Sequence, residues 1–297
     1  MAGTGPFGRR RRATAGFLAP FGALFLLFYV VPIGYALFRS FFVTSREGAF
    51  GVATEKFGGL DNYIRALEDA EFVRSIGRML LFGVVQVPVM LGLALLFALL
   101  LDSGVARLRG FFRLSYFAPY AVPAVIGAIM WGFLYAPSLS PVVDVLRDLN
   151  IGVNFLGSGT ILWSIANIVT WTYTGYNMLI IFAALQAIDR DLYEAARMDG
   201  ASGWRIARSI KIPMVRPALV LTGVFSIIGT LQLFTEPQVL RSITTSITST
   251  YTPNLVAYTA ASSNAFNYAA ALSFLLAAAT AILSFALLRF TQRRAGA

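Results

Sequence analysis

Six stretches of the chain run for about 20 residues or more with few polar interruptions: roughly 16–39, 79–101, 114–135, 160–185, 217–236 and 268–290. At about 1.5 Å of rise per residue, each can cross a hydrocarbon core of about 30 Å as a helix. Charged residues gather between the stretches and at the two ends. The pattern predicts an all-α membrane protein with six transmembrane helices: a basic tail over 1–15, a membrane domain over 16–290 and a short tail over 291–297. The first stretch is too long for a removable signal peptide, and no small-residue cleavage site follows it before Arg39.

Composition narrows the chemistry. Of 297 residues, 57% are hydrophobic and 13% charged, and the mean hydropathy is +0.70. These values lie outside the range of ordinary water-soluble domains. The chain has no Cys and no His. Thiol nucleophiles, disulfides, Cys/His metal centres and imidazole acid–base catalysis are therefore excluded. No metal ligand set and no catalytic residue is expected.

The charges are distributed unevenly. The tail with Arg9 to Arg12, the loop with Arg107, Arg109 and Arg113, the loop over 186–216 and the end with Arg289, Arg293 and Arg294 alternate onto one side of the membrane. Together they hold sixteen of the 24 basic residues and five of the 14 acids. Basic loops stay in the cytoplasm, so both termini are expected inside. The run from Arg9 to Arg12 reads as a topology signal drawn to anionic membrane lipid, not as a nucleic-acid site.

No Asp, Glu, Lys or Arg falls near the middle of a predicted span, where ion-coupled carriers, voltage sensors and intramembrane proteases place ionisable groups. No G-x-x-x-x-G-K-[ST] run is present, so ATP binding by a P-loop is not expected. Active transport would then need a partner to supply the energy. Pro32, Pro88, Pro119, Pro123 and Pro217 predict kinks, either as packing irregularities or to open a cavity near the midplane.

The loop over 186–216 has its own pattern. Residues Asp191 to Ile210 favour helix, with Leu192, Ala195 and Ala196 on one face and Glu194 and Arg197 on another. Gly200 permits a tight turn, Ser202 can cap a second helix, and Pro213 is expected to end that helix. A helix–turn–helix exposing small residues and a carboxylate would admit close docking of a partner. The string E-A-A-R-M-D-G-A-S-G-W-R-I-A-R-S-I-K-I-P, Glu194 to Pro213, resembles the coupling motif of permease subunits of binding-protein-dependent ABC importers. Ile212 stands where leucine is commoner.

The resemblance covers most of the chain and points to the sugar-importing, maltose- and glycerol-phosphate-permease-like branch with a type I importer core. It extends to Gly59–Tyr63, Arg109–Arg113, Phe117–Pro119 with Pro123, and Ala269–Ser273. Two departures stand out: Gly77-Arg78 replaces the usual Asn-Thr, and Leu240–Ile243 replaces a Gly-rich external loop that receives the binding protein in relatives. The resemblance implies that Glu194, Ala195, Ala196, Asp199, Gly200, Ile210 and Pro213 couple the chain to an ATPase. It also implies the partners: a second homologous permease, two ATP-binding cassette subunits that use ATP and Mg, and an extracytoplasmic binding protein.

In the fourth span Thr170, Tyr173, Tyr176 and Asn177 recur at helical spacing as a polar–aromatic stripe. Aromatic faces suit sugar rings, and hydroxyls and amides suit their hydroxyl groups. Helix–helix hydrogen bonding accounts for the stripe equally well. Resemblance adds Thr172, Tyr173, Tyr176, Thr230 and Leu233 as sugar contacts, and Gln232 lies among them. Glu236 is expected to face outside water, with a gate contact as the alternative. The absence of a cation at depth favours a small neutral saccharide over an anion. An importer of another solute, such as a glycerol phosphate ester, and a stand-alone secondary carrier are the competing readings. On the other side, Leu60, Tyr63, Ile64 and Leu67 form an apolar stripe, expected as an interfacial helix or a rest for the binding protein.

Overall fold

The computed structural model describes residues 6–46, 53–103 and 108–293. Arg107 and Arg294 of the expected basic clusters lie outside these, as do the side chains of Arg9 to Arg12 and Arg293. The elements are α1 (Pro6–Phe25), a π-helical turn over Leu26–Val30, α2 (Val31–Ser40), β1 (Phe42–Arg46), β2 (Ala53–Phe57), α3 (Asp61–Glu68) and α4 (Ala70–Asp102). They continue with α5 (Arg109–Ala121), α6 (Ala124–Tyr135), α7 (Pro141–Asp148), α8 (Ile161–Gln186), α9 (Arg190–Met198) and α10 (Gly203–Ile206). A second π-helical turn (Ala207–Lys211) leads into α11 (Ile212–Met214), α12 (Arg216–Leu231), α13 (Thr235–Leu240), α14 (Pro253–Ser262) and α15 (Phe266–Arg293).

Among the described residues five helical stretches are long and apolar enough to cross a membrane: Thr14–Ser40, Ala70–Asp102, Ile161–Gln186, Arg216–Leu240 and Phe266–Thr291. A sixth crossing exists if α5 and α6 are counted together, but they meet at 95°. The straight span expected over 114–135 is therefore broken. Val122 precedes Pro123, whose ring bars the helical region to its neighbour, and Val122 is extended at φ −76°, ψ 127°. The fifth span is also interrupted, at Gln232–Phe234, where Asn254 Nδ2 donates to the freed carbonyl of Gln232 at 2.6 Å. The basic tail expected before residue 16 is already helical from Pro6.

The chain divides into two units. The first holds residues up to Asp69 and Ala260–Leu275. Its hairpin pairs β1 antiparallel with β2, an element the apolar pattern did not predict. Asn62 Nδ2 donates to the carbonyls of Ser40 and Phe42, each at 2.9 Å, and Arg39 pairs with Glu55. Leu60, Ile64 and Leu67 of the α3 stripe are exposed, whereas the Tyr63 hydroxyl lies 2.6 Å from Ser40 Oγ. No residue of the most apolar window of Thr14–Ser40 is buried within this chain, so that helix needs apolar surroundings from elsewhere.

The second unit, Ala70–Thr259 with Leu276 onward, holds the core. α4 and α8 pack along their lengths. Met79 and Phe82 meet Ile161, Ile165 and Ile168 toward one end; Ala94, Ala98 and Leu101 meet Met178, Ile181 and Leu185 toward the other. Alanines four apart bring the two backbones close, as small residues do between membrane helices. Gly175 on α8 plays the same part against α5: a Cβ there would sit 1.8 Å from the carbonyl oxygen of Tyr116. Gly175→Val should lower stability by about 3 kcal/mol or more, because backbone and not a flexible side chain must move. A thermal melt of the purified variant tests this, and an unchanged midpoint would mean that α5 does not need the close crossing.

Candidate functional site: a capped loop and a mid-span cavity

The 186–216 loop folds as its sequence dictates at the turn. Asp189 caps α9, its Oδ1 accepting from Asp191 N at 3.1 Å. At the far end Ala201 N donates to Ala196 O at 2.9 Å and Gly200 N to Arg197 O at 3.0 Å. This is the Schellman pattern, which needs the left-handed φ of +78° that Gly200 supplies. Ser202 Oγ then accepts from Arg205 N at 3.3 Å and starts α10. Glu194, Ala195, Asp199, Gly200 and Pro213 are exposed, and Ala196 and Ile210 are half-buried. The most exposed bulky side chains are Met198 and Trp204, at 88% and 72%. Apolar groups beside a turn built of small residues were not singled out in the sequence.

Pro213 does not stop the second helix, contrary to expectation. The backbone widens to π geometry over Ala207–Lys211 and continues through Pro213 to Met214. A π turn changes the hydrogen-bond register just ahead of the residue that has no N–H to give.

The loop is fastened to the spans by a nearly buried ion pair. Lys211 Nζ binds the carboxylate of Asp102, the last residue of α4, and the two side chains are only 12% and 8% exposed. Gln186 Nε2 at the end of α8 donates to the same carboxylate at 2.7 Å. The Lys211 ammonium also lies 4.8 Å from the ring centre of Tyr193 on α9. Burial, and after it the Asp102 carboxylate, pushes the Tyr193 phenol above its usual range, so the ring faces the cation as a neutral phenol. α4, α8 and the loop therefore meet in one cluster of three polar side chains and a ring.

Halfway along α4 and α8 lies a cavity of about 350 Å³. Six of the seven expected pathway residues line it: Tyr173, Tyr176, Asn177, Thr230, Gln232 and Leu233. Thr172 does not; it is buried, and its hydroxyl donates to Ile168 O at 2.9 Å. Thr170 lines a neighbouring cavity instead, beside Trp171 and Gly175. Tyr120, from the last turn of α5, stacks on Tyr176 at 4.7 Å and 17° and meets Tyr173 edge-on at 5.9 Å. Tyr120 was missed because it joins the others only through the break at Val122–Pro123. Gln86, a lone amide in the middle of a predicted span, was a readable signal. Glu236 is also on the wall and only 5% exposed, so it does not face outside water. Numbering along an unbroken helix puts Glu236 at the end of its span; the interruption at Gln232–Phe234 is what turns it inward.

Residues 74–295 match the family of binding-protein-dependent transport system inner membrane components. The chain belongs to this family. It is 36% identical to the lactose transport system permease protein LacF of Rhizobium radiobacter, over 91% of this chain and 90% of that protein. It is 34% identical to the sn-glycerol-3-phosphate transport system permease protein UgpA of Agrobacterium fabrum, over 72% and 73% of the two chains. Its fold matches a chain of a bacterial alginate ABC transporter solved in complex with an alginate pentasaccharide-bound periplasmic protein. The TM-score there is 0.82 at 20% identity, covering 96% of each chain. The chain is thus a multi-pass inner-membrane permease with the fold of an ABC importer subunit.

Arg78, one of the expected departures, is held by a residue far along the chain. Arg78 Nη1 donates to Tyr251 O at 2.6 Å, and its guanidinium lies 4.4 Å from the centre of that ring. The segment following Leu240–Ile243 is therefore tied to α4 by Arg78.

Lys211→Met leaves the Asp102 carboxylate nearly buried without its cation and should cost about 3 kcal/mol. A melting curve reads the loss, and Asp102→Asn added to it should restore part of the midpoint. No loss in the single variant would mean that the pair does not fasten the loop.

Proposed function

We propose that this chain forms one half of the translocation pathway of an ATP-driven importer of a small neutral saccharide. The observation that carries the reading is the cavity halfway along α4 and α8, where stacked tyrosines stand beside amide and hydroxyl groups. Its 350 Å³ falls within the usual range of small-molecule sites, about 300–1,000 Å³. A flat aromatic surface with hydrogen-bonding groups around it suits a ring that is apolar on its faces and polar at its edge. The similarity to LacF supports the saccharide class. The similarity to UgpA keeps a glycerol phosphate ester as the second reading, but among the described residues no basic side chain lines the cavity to hold a phosphate.

In this reading Tyr173, Tyr176, Asn177, Thr230, Gln232 and Leu233 line the path, and Thr172 supports it through helix packing. The exposed turn of the loop, with Glu194, Ala195, Asp199 and Gly200 flanked by Met198 and Trp204, enters a groove on an ATPase subunit. Ala196, Ile210 and Pro213 hold its shape. The chain binds no cofactor and catalyses no reaction; ATP and Mg belong to two partner ATPases. A second homologous permease completes the path, and an extracytoplasmic binding protein delivers the cargo. Both termini, the tails over 1–15 and 291–297 and the 186–216 loop lie in the cytoplasm, as the excess of basic residues favours.

Extraction of the chain from its native membrane in mild detergent tests the assembly: an ATPase, a second permease and a binding protein should accompany it. The chain emerging alone would point to a self-sufficient carrier. Tyr176→Ala should lower saccharide uptake by about three- to tenfold with the complex intact, the worth of one aromatic stack. Unchanged uptake would return the stripe to packing. Glu194→Lys should uncouple ATP hydrolysis from uptake or release the ATPase, while the chain stays inserted; normal coupled uptake would remove the docking role.

A further inference from the structure

Two side chains that carry acceptor oxygens, Glu236 and Gln86, stand on the cavity wall. Glu236 is 5% exposed, and among the described residues no basic side chain pairs with it. It shares the cavity wall with Tyr173. Gln86, 2% exposed, donates through Nε2 to Thr170 Oγ1 at 3.4 Å, but its Oε1 is buried with no partner. Both residues line the cavity that holds the stacked Tyr120 and Tyr176. A buried carboxylate with no cation beside it is costly unless further hydrogen bonds reach it.

We propose that Glu236 is the charge selector of the pathway: its carboxylate accepts hydrogen bonds from cargo hydroxyls and turns away anionic cargo. This rests on the saccharide reading and sharpens it. A carboxylate accepts from two neighbouring hydroxyl groups at once, and such charge-assisted bonds are the stronger kind. Tyrosines at the wall stack on the sugar and add hydroxyls that both give and accept. A carboxylate or phosphate on the cargo would instead meet a like charge, with no basic side chain among the described lining residues to offset it. The selection is thus against uronates and sugar phosphates and in favour of uncharged polyols.

The test uses the purified complex of both permeases and the ATPases in nanodiscs, without the binding protein, whose own preference would otherwise dominate. Two pairs of radiolabelled probes differ in charge: lactose against lactobionate, and glycerol against glycerol 3-phosphate. Wild type should favour the neutral member of each pair by about tenfold or more. Glu236→Gln should reduce that preference to within about threefold, and Glu236→Asp should keep most of it. Co-purifying ATPase and an unchanged melting midpoint establish that a variant is assembled. If Glu236→Gln does not assemble, Glu236→Ser, which frees space instead of crowding it, is read in its place. An undiminished preference in the neutral variant overturns the proposal, as does a wild type that binds both members of a pair equally. If the charge preference responds to Glu236 but lactose binds no better than glycerol, the saccharide reading falls and the selector stands.

Discussion

The crossing of α5 over α8 at Gly175 is the contact on which the cavity depends. The Tyr116 carbonyl lies where any side chain at 175 would begin, so the two backbones touch with nothing between them. One helical turn further along α5, this approach places Tyr120 on Tyr176. α8 is also held by α4, through Ala94 and Ala98 at one end and Met79 and Phe82 at the other. Any loosening of α8 against either neighbour would therefore change the shape of the cavity. The tyrosines are positioned by packing, and their chemistry follows from that position.

A second constraint is the cost of backbone groups without partners in an apolar setting. The chain breaks its helices at Val122–Pro123 and at Gln232–Phe234, and in each case the break borders the cavity. Asn254 supplies the donor that the second break requires. Irregular backbone at this depth is tolerated where it faces a cavity, and here each break turns a functional side chain inward. Tyr120 and Glu236 both reach the wall by this route.

At the other end of the same helices, Asp102, Gln186, Lys211 and Tyr193 join the loop to α4 and α8. The helices that line the cavity are therefore the helices that anchor the loop. A movement imposed on the loop would reach the cavity through α4 and α8 as stiff elements, without a separate chain of contacts between them.

Much was legible in the sequence because it depends on short-range rules. Five of the six apolar stretches, the Gly200 turn and the Ser202 cap each follow from spacing within a single element, and of the expected stripe Tyr173, Tyr176 and Asn177 share one cavity while Thr170 lines another. The hairpin of β1 and β2, the 95° bend and the inward turn of Glu236 did not follow. A proline announces that a helix is disturbed, but the direction of the bend is set by what packs against it. Lys211 was one basic residue among many in its loop until the fold placed Asp102 beside it. The sequence by itself determined the spans, the capped loop and the side chains of the stripe, since hydropathy and helical period act over a few turns. Only the tertiary structure decided which polar groups share a cavity and which charges are paired, because those pairings join residues far apart in the chain.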